Sequence, residues 1–353
     1  MHEPNADKLN DFLGKLVGDL GAAMSGAGIL LGDRLGLYKA MADGEPVTSS
    51  QLAKKTNLHE RYVREWLAGQ AASGYVDYQA DKNTFSLSPE QAAAFAEEGS
   101  PAFFAGAYDV VQAIYLDEPK VAEAFRTGKG VGWHEHSRCL FSGTERFFRP
   151  GYNANLVSAW LPALDGMIER LHAGAKVADV GCGHGASTIL MAQAFPKSQF
   201  FGFDYHAPSI ERAQTIAKEA GVSDRAIFAQ ATAKDFPVKG YDLVAFFDCL
   251  HDMGDPVGAG KHVKEALAKD GTWMIVEPQA CDDLKDNLNP VGRCYYNGST
   301  FICTPASLSQ EVALGLGAQA GERRLRQVVN EAGFTRFRRA AETPFNMVLE
   351  ARP

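Results

Sequence analysis

The sequence predicts an α/β fold, in which a mainly parallel sheet with an antiparallel last strand follows a mainly helical N-terminal domain. Three observations predict it. Between residues 177 and 277, short apolar runs alternate with helical patterns, the order expected of parallel strands covered by helices on both faces. Residues 335–341 and 345–350 then form two strand-like runs close enough to make a closing hairpin. Ahead of residue 90 the apolar spacing is mostly that of helices, ending in a short hairpin pattern.

The chain has 353 residues, enough for two domains, because single cores stop growing near about 300 residues. Its 46% hydrophobic and 22% charged residues are those of an ordinary globular protein. A net charge of −8 argues against a nucleic-acid partner, since such binding draws its affinity from Lys and Arg neutralising phosphates. The six cysteines (139, 182, 249, 281, 294 and 303) include no C-x-x-C pair, so neither a zinc knuckle nor a dithiol redox site is suggested, and scattered thiols fit a reducing compartment; no metal is expected. Residues 1–10 lack the basic start and apolar core of a signal peptide, and residues 13–31 are broken by Lys15, Asp19 and glycines. The expectation is a cytoplasmic protein with no membrane partner.

In chain order, residues 9–42 have Leu9, Leu13, Leu16, Val17 and Leu20 on one helical face, with glycines at 14, 18, 21, 26 and 28 that suit either close helix contact within a homodimer or a loose helix end; a homodimer is the expectation. Thr48 and Gln51 form a capping-box pattern opening one helix. Residues 59–73 make a second, stopped by Gly74, and the runs 75–78 and 84–88 flank a polar turn. Helix, turn, helix and hairpin resemble a winged helix. Glu60 and Glu65 beside Arg61 and Arg64 give its second helix mixed charge, which disfavours entry into a DNA groove. Residues 91–173 read as mostly helical, interrupted by G-V-G-W-H-E-H at 130–136, where Trp133, His134 and His136 are candidate substrate contacts.

The stretch 177–185, V-A-D-V-G-C-G-H-G, reads as strand, tight turn and helix start. Glycines at 181, 183 and 185 permit left-handed backbone and a close approach by a ligand. A dinucleotide fingerprint is spaced G-x-G-x-x-G, whereas this loop is G-x-G-x-G and follows Asp179. A carboxylate there repels pyrophosphate and attracts a cation. S-adenosylmethionine is such a ligand, with its sulfonium and α-amino group. Downstream, Asp204, Asp248 and Glu277 join Asp179 at strand C-terminal ends, where ligands of such sheets bind. Residues 278–318 show little periodicity and read as a long loop capping the substrate, with Tyr295 and Tyr296 as candidate contacts.

Residues 177–185, Asp204 and 241–253 resemble class I S-adenosylmethionine-dependent methyltransferases. With the winged-helix pattern and the W-H-E-H and L-H-D-M segments, the chain is similar to a bacterial group of two-domain small-molecule methyltransferases. The resemblance implies a Rossmann-like seven-stranded methyltransferase sheet with an antiparallel last strand behind an N-terminal mainly helical winged-helix domain. It implies domains at 1–90 (helical, winged helix), 91–173 (helical linker, substrate side) and 174–353 (cofactor-binding, with 278–318 as a cap insertion). It also implies S-adenosyl-L-methionine as cofactor and S-adenosyl-L-homocysteine as product. Gly181, Gly183 and Gly185 would line the methionine and ribose, and Asp179 would orient the amino group. Asp204 would accept from both ribose hydroxyls, Tyr205 would pack on the adenine, and Thr232 stands where the family often has an acid for the adenine amino group. Asp248 joins this cofactor set. His251 is the candidate general base for O-methylation of a hydroxyl. A nicotinamide-dependent oxidoreductase and a DNA-binding regulator using the cofactor as effector are the alternatives. The loop spacing disfavours the first and the mixed helix charge the second.

Overall fold

A computed structural model describes residues 3–353. They divide into two compact units, one comprising residues up to 112 with 142–150, the other 113–141 with 151–353.

The first unit is helical apart from one hairpin. Its long first helix, Ala6–Arg34, is capped by the side chain of Asn5, and the helix Ser49–Thr56 opens with the Thr48–Gln51 capping box. The helix Glu60–Ala72 follows, then strands β1 (Asp77–Gln79) and β2 (Thr84–Ser86), which pair antiparallel. Tyr38, Leu52, Val63, Trp66, Leu67 and Phe85 make its core. The glycines of the first helix separate into two groups. A Cβ on Gly28 would stand 2.5 Å from Gln70 Nε2 and one on Gly26 3.1 Å from the Tyr108 ring, so these two serve packing within the chain. Gly14, Gly18 and Gly21 have nothing within 4 Å of that position. Beside them Phe12, Val17, Leu20 and Met24 are 56–70% exposed, so this apolar face has no cover within the described residues.

The second unit is a seven-stranded sheet between helices. Its strands are β3 (Lys176–Val180), β4 (Gln199–Asp204), β5 (Ala226–Gln230), β6 (Tyr241–Phe247), β7 (Leu267–Pro278), β8 (Arg336–Glu342) and β9 (Asn346–Arg352), in the spatial order β5-β4-β3-β6-β7-β9-β8. Pairing is parallel from β5 to β7, and β9 runs antiparallel to both β7 and β8. Val244, Phe246, Trp273, Ile275 and Leu349 are among its fully buried residues, consistent with central strands covered on both faces. The strand order reverses at β3, the switch point beyond whose C-terminal strand ends ligands of such sheets bind.

The segment 278–318 corrects the sequence reading of a long loop. It contains a 3₁₀ turn (Leu284–Asn287) and the helices Pro290–Phe301 and Cys303–Leu308. Asn289 caps the first helix and Pro290 opens it, but its buried residues are Gly292, Tyr295 and Ser299. A helix that buries small and polar groups shows no apolar period. No helix among the described residues is long and apolar enough to cross a membrane.

Candidate functional site

The glycine loop leaves β3 in left-handed conformations, with φ +76° at Gly181, +52° at Gly183 and +81° at Gly185. Close packing also excludes side chains at two of these positions. A Cβ on Gly181 would lie 2.8 Å from Cys249 Sγ, and one on Gly185 2.7 Å from the Phe228 ring. Gly183 has open space instead, with nothing within 4 Å. The loop is thus braced at its ends and accessible at its middle.

Asp179 ends fully buried beneath this loop. Its Oδ2 accepts from Ser187 Oγ and Thr188 Oγ1, both at 2.6 Å, while Oδ1 is buried without a hydrogen-bond partner. Burial pushes the carboxyl up to about 6 against the pull of the two hydroxyls. Asp204, at the end of β4, accepts from the Gly183 N–H at 3.0 Å and the His206 N–H at 2.9 Å, one on each oxygen. Each oxygen keeps a lone pair for a further donor. Burial raises its proton affinity despite these two amides.

Beyond Asp204, Tyr205 is 41% exposed, with its ring edge-on to His134 at 6.1 Å. Phe141 stacks on His206 at 4.6 Å and meets Trp133 edge-on at 5.9 Å. The W-H-E-H segment therefore lies against the loop that follows β4. Within it Trp133 is half-buried, His134 exposed and His136 buried. His136 Nδ1 is 3.1 Å from Asp117 Oδ2, and its Nε2 is buried without a partner. Burial lowers the proton affinity of this ring, outweighing Asp117. Burial also opposes ionisation of Asp117, but the backbone N–H of Ser137, Lys120, the Ser137 hydroxyl and His136 outweigh it and hold the carboxyl at about 2.

Asp248 takes φ +51° just after β6, a conformation unusual for a residue with a side chain. Tyr152 Oη donates to its Oδ2 at 3.0 Å and Asn346 Nδ2 to its Oδ1 at 2.8 Å. Burial, then the charge of Glu277, pushes its carboxyl up to about 8. His251 is buried in the 3₁₀ turn Leu250–Asp252, with Nδ1 2.6 Å from Glu277 Oε2. Burial would lower its proton affinity, but the charges of Glu277 and Asp252 raise it well above the ordinary value.

The remaining candidates are more scattered. Thr232 is exposed, and its hydroxyl accepts from the Lys234 N–H at 3.3 Å. Tyr295 is buried and donates its hydroxyl to the Phe345 carbonyl at 2.8 Å, while Tyr296 is half-buried on the same helix. Sequence reading did not find Tyr152, Asn346, Asp117, Ser187 or Thr188. Glu277 was visible only as an acid at a strand end.

Residues 171–333 match the family model of a methyltransferase domain, and residues 23–97 that of the Rv2258c-like winged HTH domain. Residues 171–333 are thus a methyltransferase domain with the sheet order of the class I S-adenosylmethionine-dependent fold, behind an N-terminal winged-helix domain. The chain is 33% identical over 136 residues to ubiquinone biosynthesis O-methyltransferase of Leptothrix cholodnii, covering 37% of this chain and 54% of that protein. It is 36% identical over 150 residues to 27-O-demethylrifamycin SV methyltransferase of Amycolatopsis mediterranei, covering 42% and 47%. The matched region spans about half the length of these curated relatives. Human N-acetylserotonin methyltransferase, solved in complex with S-adenosylmethionine, superposes with a TM-score of 0.69 at 15% identity over 99% of this chain and 98% of that one.

S-adenosylmethionine is the cofactor of this class, and the residues present fit it. The orphaned Asp179 oxygen suits an ammonium group, the space over Gly183 admits a ligand against the backbone, and Asp204 retains lone pairs for hydroxyl donors.

Proposed function

We propose that this chain methylates a hydroxyl of a small molecule with S-adenosylmethionine as donor. The observation that carries the reading is the buried His251–Glu277 pair, beyond β6 and on the same sheet edge as the glycine loop. Bound S-adenosylmethionine supplies an already activated methyl group, so the protein must align the acceptor and remove its proton. Glu277 accepts the Nδ1–H of His251, which fixes the tautomer and leaves Nε2 as the proton acceptor. Asp179 would hold the cofactor amino group, Asp204 the ribose hydroxyls, Gly181, Gly183 and Gly185 the chain between, and Tyr205 and Thr232 the adenine. Asp248, clamped by Tyr152 and Asn346, positions the turn that carries His251. Trp133, His134, His136, Tyr295 and Tyr296 would face the acceptor. The names of the curated relatives, ubiquinone biosynthesis O-methyltransferase and 27-O-demethylrifamycin SV methyltransferase, support a small organic acceptor.

On this reading residues 1–90 serve dimerisation, 91–173 the substrate side and 174–353 cofactor binding, with 278–318 as the cap. The uncovered apolar face of the first helix supports a homodimer. Arg61 pairs with Glu65 and Arg64 with Glu60, so the second winged-helix helix offers no free basic stripe, which supports the absence of a nucleic-acid partner. Neither an oxidoreductase nor a DNA-binding regulator is favoured. Incubation with methyl-tritiated S-adenosylmethionine and a panel of phenols and hydroxyacids tests the reading. Label should enter hydroxylated acceptors and not their methyl ethers; transfer to the ethers alone would contradict it.

A further inference from the structure

Three side chains of different chemistry converge beyond β6. One ligand atom from each of His251, Asp252 and Cys303 lies within 4.8 Å of the other two. His251 and Asp252 share the 3₁₀ turn, and Cys303 opens the helix Cys303–Leu308. His251 Nε2 and Asp252 Oδ1 are 3.2 Å apart, yet Oδ1 is buried and accepts no hydrogen bond. The contact is of ion-pair length, and it also fits a shared cation, since ligands about 2.0–2.1 Å from a tetrahedral zinc have an N···O edge of about 3.3 Å.

The surroundings agree. Glu277 sits 2.6 Å from the other imidazole nitrogen, the carboxylate–histidine–metal order in which an outer carboxylate holds Nδ1–H and leaves Nε2 for the ion. The carboxylate of Asp252 and a thiolate at Cys303 would neutralise a dication. A mixed nitrogen, oxygen and sulfur set favours zinc over magnesium or calcium.

We propose that His251, Asp252 and Cys303 form a zinc-type cation site, with Glu277 as its outer support. A cation there occupies the Nε2 lone pair that a base needs, so zinc would inhibit methyl transfer. Only this consequence rests on the proposed function; binding itself does not.

The test uses the full chain, tag-free and chelator-treated, titrated with Co²⁺ as a spectroscopic probe. The expected result is one Co²⁺ per chain with a thiolate-to-cobalt charge-transfer band, reversed by Zn²⁺ but not Mg²⁺, absent in Cys303→Ser and at least tenfold weaker in Asp252→Asn. Binding of S-adenosylhomocysteine checks that each variant folds. Failure of the wild-type chain to take up stoichiometric Co²⁺ overturns the proposal, as does a charge-transfer band that persists in Cys303→Ser. Should Cys303→Ser not fold, unchanged Co²⁺ affinity in Asp252→Asn overturns it equally. None of these readouts requires turnover, so an absence of methyl transfer leaves the metal test decidable.

Discussion

His251 Nδ1 stands 2.6 Å from Glu277 Oε2, and both side chains are almost completely buried. A carboxylate this close in a region of low dielectric stabilises the imidazolium, so His251 keeps its proton above the ordinary histidine range despite its burial. A base must be neutral to act. Turnover should therefore rise with pH, with its acid limb above 6.5, and Glu277→Gln should move that limb to lower pH by removing the charge. A pH–rate profile of the two proteins measures this; an unmoved limb would assign the titration to another group.

His251→Ala should lower turnover on a hydroxyl acceptor by about 10²–10⁴-fold, the range of general-base catalysis, and leave S-adenosylhomocysteine affinity nearly unchanged. Retention of more than about a third of wild-type turnover, against that expected range, would make His251 structural.

Asp179 gives a second pH dependence of opposite origin. Its folded-state carboxyl is raised from 3.8 to about 6, so ionising it costs the ligand-free fold roughly 3 kcal/mol, a cost that grows as pH rises from about 4 to 6 and is complete above. An ammonium group beside Oδ1 offsets that cost. The rise in melting temperature caused by S-adenosylhomocysteine should be larger at pH 7.5 than at pH 5, and calorimetry below about pH 6 should show proton release on binding. Equal thermal shifts at both pH values would remove Asp179 from the site.

The uncovered stripe on the first helix predicts self-association. Leu16→Glu, at a residue 45% exposed, should leave the fold intact and halve the mass measured by light scattering. A wild-type chain already monomeric at micromolar concentration would refute the dimer.

Much of the sheet was legible because a fully covered strand writes itself as an apolar run. The apolar runs at Gln199–Asp204 and Tyr241–Phe247 appear as strands, and the Thr48–Gln51 box forms as its spacing requires. Less was legible where small or polar groups face inward, as in the helix Pro290–Phe301. The pairings His251–Glu277, His136–Asp117 and Tyr152–Asp248 join distant positions, and no local spacing encodes which side chains meet across a sheet edge.

The most direct test of the cofactor site is calorimetric titration of the wild-type chain and Asp204→Ala with S-adenosylhomocysteine, with NADH as control ligand. The structure predicts saturable one-to-one binding by the wild-type chain, a loss of about 1.5–3 kcal/mol in the variant, the scale of hydrogen bonds to a charged group, and no binding of NADH. Tight NADH binding without S-adenosylhomocysteine binding, or wild-type affinity in a folded Asp204→Ala protein, would contradict it.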